Sequence, residues 1–164
     1  MWVRDATIDD AAEILEFVRA KAQFDRELGA FNGELETSEE LIRRHVFGPE
    51  PFASVLLAGE ATAAKGFAFY YFCYSSFRGR PSIWLDDLYV HPSDRRNGTG
   101  QLLMRRLAEI ARRNDCTHVA WLASASNAVG MSFYRKLGAI VVQQLGDAVT
   151  LRIEPASLIG SFRQ

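Results

Sequence analysis

The sequence predicts a mixed α/β domain organised on one central sheet. Short apolar and aromatic runs bounded by Gly, Pro or Asp recur along the chain, as strands do. Two stretches, opening near Thr7 and Gly98, repeat apolar residues at helical spacing. Strand and helix signatures follow one another as strand, two helices, three strands, helix, strand, helix, two strands, an interleaving that belongs to α/β architecture. A chain of 164 residues with no repeat and no linker is expected to form a single domain over residues 1–164.

Trp2 to Arg4 reads as a short strand. Thr7 and Asp10 resemble a capping box opening the first helix, in which Ala11, Ile14, Leu15, Val18 and Ala22 form a buried stripe. Thr37 to Glu40 reads as a second capping box, and Gly48-Pro49 stops the helix behind it. Ala53 to Ala58, Lys65 to Phe77 and Ile83 to Val90 read as strands, with Gly59-Glu60 and Gly79-Arg80-Pro81 as turns. The aromatic run Phe67 to Phe77 is most simply sheet core, although its outward members could line an acceptor slot. Gly98 to Asn114 carries the strongest helical pattern, with Leu103, Leu107, Ile110 and Ala111 on one side and paired arginines on the other. His118 to Leu122 is a strand and Ala128 to Leu137 a short helix ended by Gly138. Ala139 to Gln143 and Ala148 to Ile153 are closing strands joined through Gly146-Asp147.

Composition narrows the function. Nineteen Lys and Arg against twenty Asp and Glu leave a net charge of −1, which argues against a nucleic-acid partner held by charge. No apolar run approaches the ~20 residues that span a bilayer, and Met1 to Asp5 lacks a secretory pattern, so a cytoplasmic protein without a membrane partner is expected. Cys73 and Cys116 form no CxxC and are expected to be reduced, buried thiols; the three histidines share no ligand spacing, so no metal is expected.

The informative segment runs from Val90 to Leu103. A strand ends, a polar turn follows, and Gly98 and Gly100 stand at the mouth of an amphipathic helix. Glycine lets backbone approach a bulky ligand. The unpaired N–H groups at a helix start carry partial positive charge, so the pair makes an anion site suited to a pyrophosphate. Arg95 and Arg96 add two permanent charges. Lys-Ser/Thr does not follow the second glycine, so this is not a Walker loop, and Leu103 breaks the dinucleotide fingerprint.

Arg95-x-x-Gly98-x-Gly100 resembles the Q/R-x-x-G-x-G/A signature of the GNAT superfamily of acyl-CoA-dependent N-acyltransferases. Asn127, followed by Phe133-Tyr134-Arg135-Lys136-Leu137-Gly138-Ala139, resembles that superfamily's second motif. Gly66-Phe67-Ala68-Phe69-Tyr70-Tyr71-Phe72 and Trp84-Leu85-Asp86-Asp87-Leu88-Tyr89-Val90 are similar to stretches of its diamine (spermidine/spermine) acetyltransferase branch. The resemblance spans most of the chain, from about Val3 to about Val142. It implies a GNAT fold, a mixed and mostly antiparallel central sheet flanked by helices.

The resemblance also implies roles. Leu88, Tyr89 and Val90 would present backbone groups to the acetyl and pantetheine arm. Arg95, Arg96, Asn97, Gly98, Thr99, Gly100 and Gln101 would hold the pyrophosphate of acetyl-CoA, and Asn127, Ala128, Val129 and Gly130 the far side of the coenzyme arm. Tyr134 would protonate the leaving thiolate, and Asp86 would serve the amine. Phe24, Asp25, Asp86, Ala120, Trp121 and Leu122 would line the substrate. Three departures stand out: Asp86 replaces a Glu, Phe24 lacks the hydroxyl of a Tyr, and Asn127 to Gly130 lacks the usual acid and Pro. The expected reaction is acetyl transfer to a primary amine of a diamine, polyamine or lysine-like substrate by direct attack, in a homodimer by family analogy. A peptide N-acetyltransferase and a non-catalytic acyl-CoA sensor remain alternatives. Six acids between Asp25 and Glu40 against Arg26 alone form either a solvated face or a rim that attracts a cationic amine.

Overall fold

The computed structural model describes residues 1–161. The strands are β1 (Trp2–Asp5), β2 (Ser54–Glu60), β3 (Ala63–Ser75), β4 (Arg80–Val90), β5 (Val119–Ser124), β6 (Ile140–Leu145) and β7 (Ala148–Ile153). The α-helices are α1 (Ala11–Glu27), α2 (Glu39–Val46), α3 (Thr99–Arg113), α4 (Ala128–Lys136) and α5 (Pro155–Gly160). Among the described residues the strands form one sheet in the order β1-β2-β3-β4-β5-β7-β6. β1–β2, β2–β3, β5–β7 and β6–β7 are antiparallel, and β4–β5 is parallel. The fold is therefore the mixed, mostly antiparallel α/β architecture that the sequence implies. No helix among the described residues is long and apolar enough to cross a membrane.

Several local readings need correction. Gly59-Glu60 is not a turn but the end of β2; the turn follows at Ala61, whose carbonyl accepts from Trp2 Nε1 at 2.8 Å. Ser38, not Thr37, caps α2, its Oγ accepting from Leu41 N at 3.2 Å; with Leu41 at the third helical position, no reciprocal carboxylate can close a box. The aromatic run Phe67 to Phe77 is only half core: Phe67 and Tyr70 are buried, but Phe72 and Tyr74 of β3 and Phe77 in the turn after it are exposed. Cys116 is buried, where desolvation pushes its thiol pKa up, but Cys73 is exposed. Helix α5 carried no apolar repeat long enough to read; Pro155 in its first turn starts it.

The chain groups into two compact units, Met1–Tyr71 with Asp87–Leu103, and Phe72–Asp86 with Met104–Gln164. In the first, α1 and α2 bury Ala11, Ile14, Leu15, Phe17, Ile42 and Val46 with Val55, Leu57, Phe67 and Tyr89 of the sheet. Phe17 stacks on Phe67 at 5.3 Å between ring centroids. In the second, Val119, Ala120 and Trp121 are all buried, while β7 alternates with Val149, Leu151 and Ile153 inward. β6, at the end of the sheet, is exposed at every position.

One electrostatic clamp in the first unit sets a pH dependence. Asp10 accepts hydrogen bonds from the two terminal guanidinium nitrogens of Arg4, at 2.7 and 2.8 Å, and from the Thr7 N–H at 2.7 Å. The Arg4 hydrogen bonds, then the Thr7 N–H and hydroxyl, hold its carboxyl down at a pKa of about 2, below the ordinary 3.8. A carboxylate lowered on folding stabilises the fold above its unfolded pKa, and that contribution disappears as pH falls through the folded one. With Arg4 half-exposed, the clamp is worth about 1 kcal/mol. Asp10→Asn should lose that amount at neutral pH in urea unfolding, and the gap to wild type should close between pH 4 and about 2. A gap independent of pH would contradict this assignment.

Candidate active site

The turn after β4 carries two left-handed residues ahead of a helix. A short 3₁₀ turn at Pro92–Asp94 leads to Arg95 in extended conformation, then Arg96 at φ +68 and Gly98 at φ +88. Left-handed residues just before a helix turn successive N–H groups toward one side and form a concave nest for an anion. Hydrogen bonding of α3 begins with Leu102 N donating to Gly98 O at 2.9 Å, so the N–H groups of Thr99, Gly100 and Gln101 precede the helix ladder. Beyond its chain neighbours, a Cβ built on Gly98 would meet only Met1 Cε, at 3.8 Å. The space over the nest is thus open on the protein's side. Arg96, Asn97 and Gln101 are exposed, and Thr99 is buried. These features fit a pyrophosphate.

Arg95 and Arg96 are not equivalent. Arg95 Nε donates to Val90 O at 3.0 Å, and its guanidinium lies over the rings of Phe24 and Tyr89, at 4.8 and 5.7 Å. It ties the start of the loop to the end of β4 and to α1. Lys65 Nζ, 3.5 Å from Asp94, and His91 N, donating to Lys65 O, hold the other flank.

Along β4 the side chains alternate. Tyr89 packs against Phe17 and Phe24, each at 6.5 Å. Asp87 lies on the same strand face as Tyr89, and Lys21 Nζ stands 3.5 Å from its Oδ1. Lys21 also donates to Asp25 Oδ2. Asp86 points from the opposite strand face, is exposed, and makes no side-chain hydrogen bond or ion pair among the described residues. It is not a structural carboxylate tied to turn amides.

The second unit carries Ala120 to Leu122 and Asn127 to Tyr134. Ala120 and Trp121 are buried, and Leu122 is exposed. Asn127 caps α4, its Oδ1 accepting from Gly130 N at 2.9 Å. Ala128 and Val129 are exposed at the start of that helix. Tyr134 is buried, its ring 5.0 Å from Trp121 and 5.5 Å from Phe133. Gly138, at φ +87, ends α4, and the chain turns back so that Ala139 N donates to Tyr134 O at 3.1 Å. That left-handed position accounts for the glycine in the Phe133-to-Ala139 motif.

Asp147 was missed by sequence reasoning except as part of a turn. Its Oδ1 accepts from Ser126 N at 2.8 Å and Ser126 Oγ at 2.7 Å, and its Oδ2 accepts from Ser124 Oγ. The Ser124 and Ser126 hydroxyls, then the Ser126 N–H, hold the carboxyl below its ordinary pKa. Asp147 therefore fixes the Ser124–Asn127 corner that leads into α4. Only Asp in the Gly146-Asp147 turn hinted at it; its partners lie more than twenty positions away. Asp147→Ala is expected to lower turnover about tenfold by letting α4 shift, since small misplacements of reacting groups are costly. Asp147→Asn, which keeps one acceptor, should lose less. Wild-type kinetics in both would remove Asp147 from the site. Among the described residues no three His, Cys, Asp or Glu side chains gather to hold a metal.

Known proteins resemble this chain over nearly its whole length. A family model described as the acetyltransferase (GNAT) family matches residues 15–139. Thialysine N-epsilon-acetyltransferase of Bos taurus is 31% identical over 147 residues, covering 85% of this chain and 84% of that protein. Spermidine/spermine N(1)-acetyltransferase-like protein 1 of Homo sapiens is 31% identical over 145 residues, covering 84% of this chain but 20% of that protein. Among solved structures, the PaiA N-acetyltransferase of Thermoplasma acidophilum in complex with coenzyme A matches with a TM-score of 0.69 at 19% identity, over 93% of this chain and 98% of that one.

Proposed function

This chain belongs to the GNAT acetyltransferase family and is an N-acetyltransferase; from that premise we propose that it moves acetyl from acetyl-CoA to a primary amine of a small cationic substrate by direct attack. The acceptor class is a diamine, polyamine or lysine-like compound. The relatives named for thialysine and for spermidine and spermine support that class. The observation that carries the coenzyme reading is the nest before α3, left-handed at Arg96 and Gly98 and open above Gly98.

When bound, the coenzyme supplies an activated thioester. The chain's own residues would do the rest. The N–H groups of Thr99, Gly100 and Gln101 bind the pyrophosphate, and Arg96 neutralises it from the exposed side of the loop. Arg95 holds that loop against β4. Backbone N–H groups of Leu88 to Val90 would donate hydrogen bonds to the acyl oxygen as negative charge develops on it. An alkylammonium of pKa ~10.4 must lose its proton before it attacks, at a cost of about 4.6 kcal/mol at pH 7. Asp86, exposed and without a side-chain partner among the described residues, takes that proton directly or through water. Tyr134 donates the proton that the leaving thiolate needs. Neither cysteine is required as a nucleophile.

Release of free thiol from acetyl-CoA, followed against diamines, polyamines, lysine analogues and peptides, tests this reading. Release with small amines supports it. Tight acetyl-CoA binding without release from any amine would make the chain a sensor instead.

A further inference from the structure

Inside the second unit, one buried donor meets no nitrogen or oxygen acceptor. Trp121 is 2% exposed, and its indole Nε1 is buried without a hydrogen-bond partner among the described residues. An N–H left unpaired in an apolar core is costly, and a buried tryptophan usually finds a partner for it. A phenylalanine would fill the same position on β5 without that cost. The ring beside the indole is that of Tyr134, with centroids 5.0 Å apart and planes inclined by 55°. At such a separation and tilt the edge of one ring meets the face of the other. The indole edge carries the N–H, and the face of the phenol is the negative side of its quadrupole, so the two attract. Phe133 lies against Tyr134 at 5.5 Å and further confines the ring.

We propose that Trp121 is a positioning residue: its indole N–H donates to the π face of Tyr134 and fixes that phenol for proton delivery to the leaving thiolate. The inference rests on the proposed proton-donor role of Tyr134. Trp121 then stands behind the donor, with its N–H out of reach of solvent. A phenol gripped on one face loses freedom about its side-chain bonds, so its hydroxyl returns to one place at each turnover. Small misplacements of a reacting group are costly, and that is the loss the indole prevents.

Proton NMR reads the contact, because a proton held over an aromatic face is shielded by the ring. The indole N–H resonances belong to Trp2, Trp84 and Trp121, and Trp121→Phe identifies the last by its loss. That resonance should lie well upfield of the other two. It should stay there in Tyr134→Phe, which keeps the ring, and move downfield in Tyr134→Leu. An ordinary shift, a shift indifferent to Tyr134→Leu, or magnetisation transfer from this proton to a bound water would overturn the proposal. Kinetics reads the positioning. Trp121→Phe should lower kcat about two- to fivefold, the scale of one weak hydrogen bond, with KM for the amine and acetyl-CoA affinity unchanged. In a Tyr134→Phe background the same substitution should cost nothing further, since the indole acts only through the hydroxyl. An equal loss in both backgrounds would make Trp121 merely structural. Should Trp121→Phe fold poorly, Trp2→Phe and Trp84→Phe assign the resonance by elimination, and its position decides. If Tyr134→Phe turns over as wild type does, the proton-donor reading has failed, and the NMR shift then decides the contact alone.

Discussion

Tyr134→Phe lowers turnover about a hundredfold or more, the usual scale of a positioned general acid, while acetyl-CoA affinity stays near that of wild type. The substitution removes one hydroxyl and leaves the ring that packs against Trp121 and Phe133. Helix α4 keeps its Asn127 cap and its Gly138 end. What is lost is the proton for the leaving thiolate. The conjugate acid of the leaving thiolate has a pKa of ~8.5, so above that pH the thiolate leaves without protonation. The deficit of Tyr134→Phe should accordingly be greatest near pH 7 and shrink toward pH 9. A variant with wild-type turnover would remove the proton-donor role, and a deficit that grows with pH would assign Tyr134 another one.

Gly98→Val is expected to weaken acetyl-CoA binding at least tenfold by calorimetry. Two effects act together. At φ +88 a β-branched residue is strained by roughly 1–2 kcal/mol. Its side chain also enters the space above the nest, where the protein itself offers only Met1 Cε at 3.8 Å. A phosphate brought there would meet methyl groups instead of N–H donors. The two effects separate by experiment, because strain alone lowers the unfolding free energy and leaves the affinity of the folded protein unchanged. Unaltered affinity in the folded variant would argue against the loop as the coenzyme's cradle.

Much of this arrangement is legible from local patterns. The helical spacing of Leu103, Leu107 and Ala111 identifies α3, and Gly98 and Gly100 mark its mouth, with Gly98 in the nest ahead of it. Where two distant segments must meet, the pattern says nothing. Asp147 reads as a turn residue, and only the fold brings Ser124 and Ser126 to it. The Lys21–Asp25 pair sits at the four-residue spacing that makes helix neighbours, yet Asp87 joins it only through the packing of α1 with β4. Burial is the other gap. Phe17 was missed because the apolar stripe of α1 is wider than its regular repeat. Phe72, Tyr74 and the four apolar residues of β6 stand at exposed positions, since the end of a strand and the rim of a sheet keep strand composition without cover.

The nest before α3 bears most of the account. Backbone amide shifts of the isotope-labelled protein, followed as coenzyme A is added, test it most directly. The largest changes should fall on Gly98, Thr99, Gly100 and Gln101, saturating with the affinity measured by calorimetry. Saturating coenzyme that leaves those four amides unmoved while others shift would contradict it.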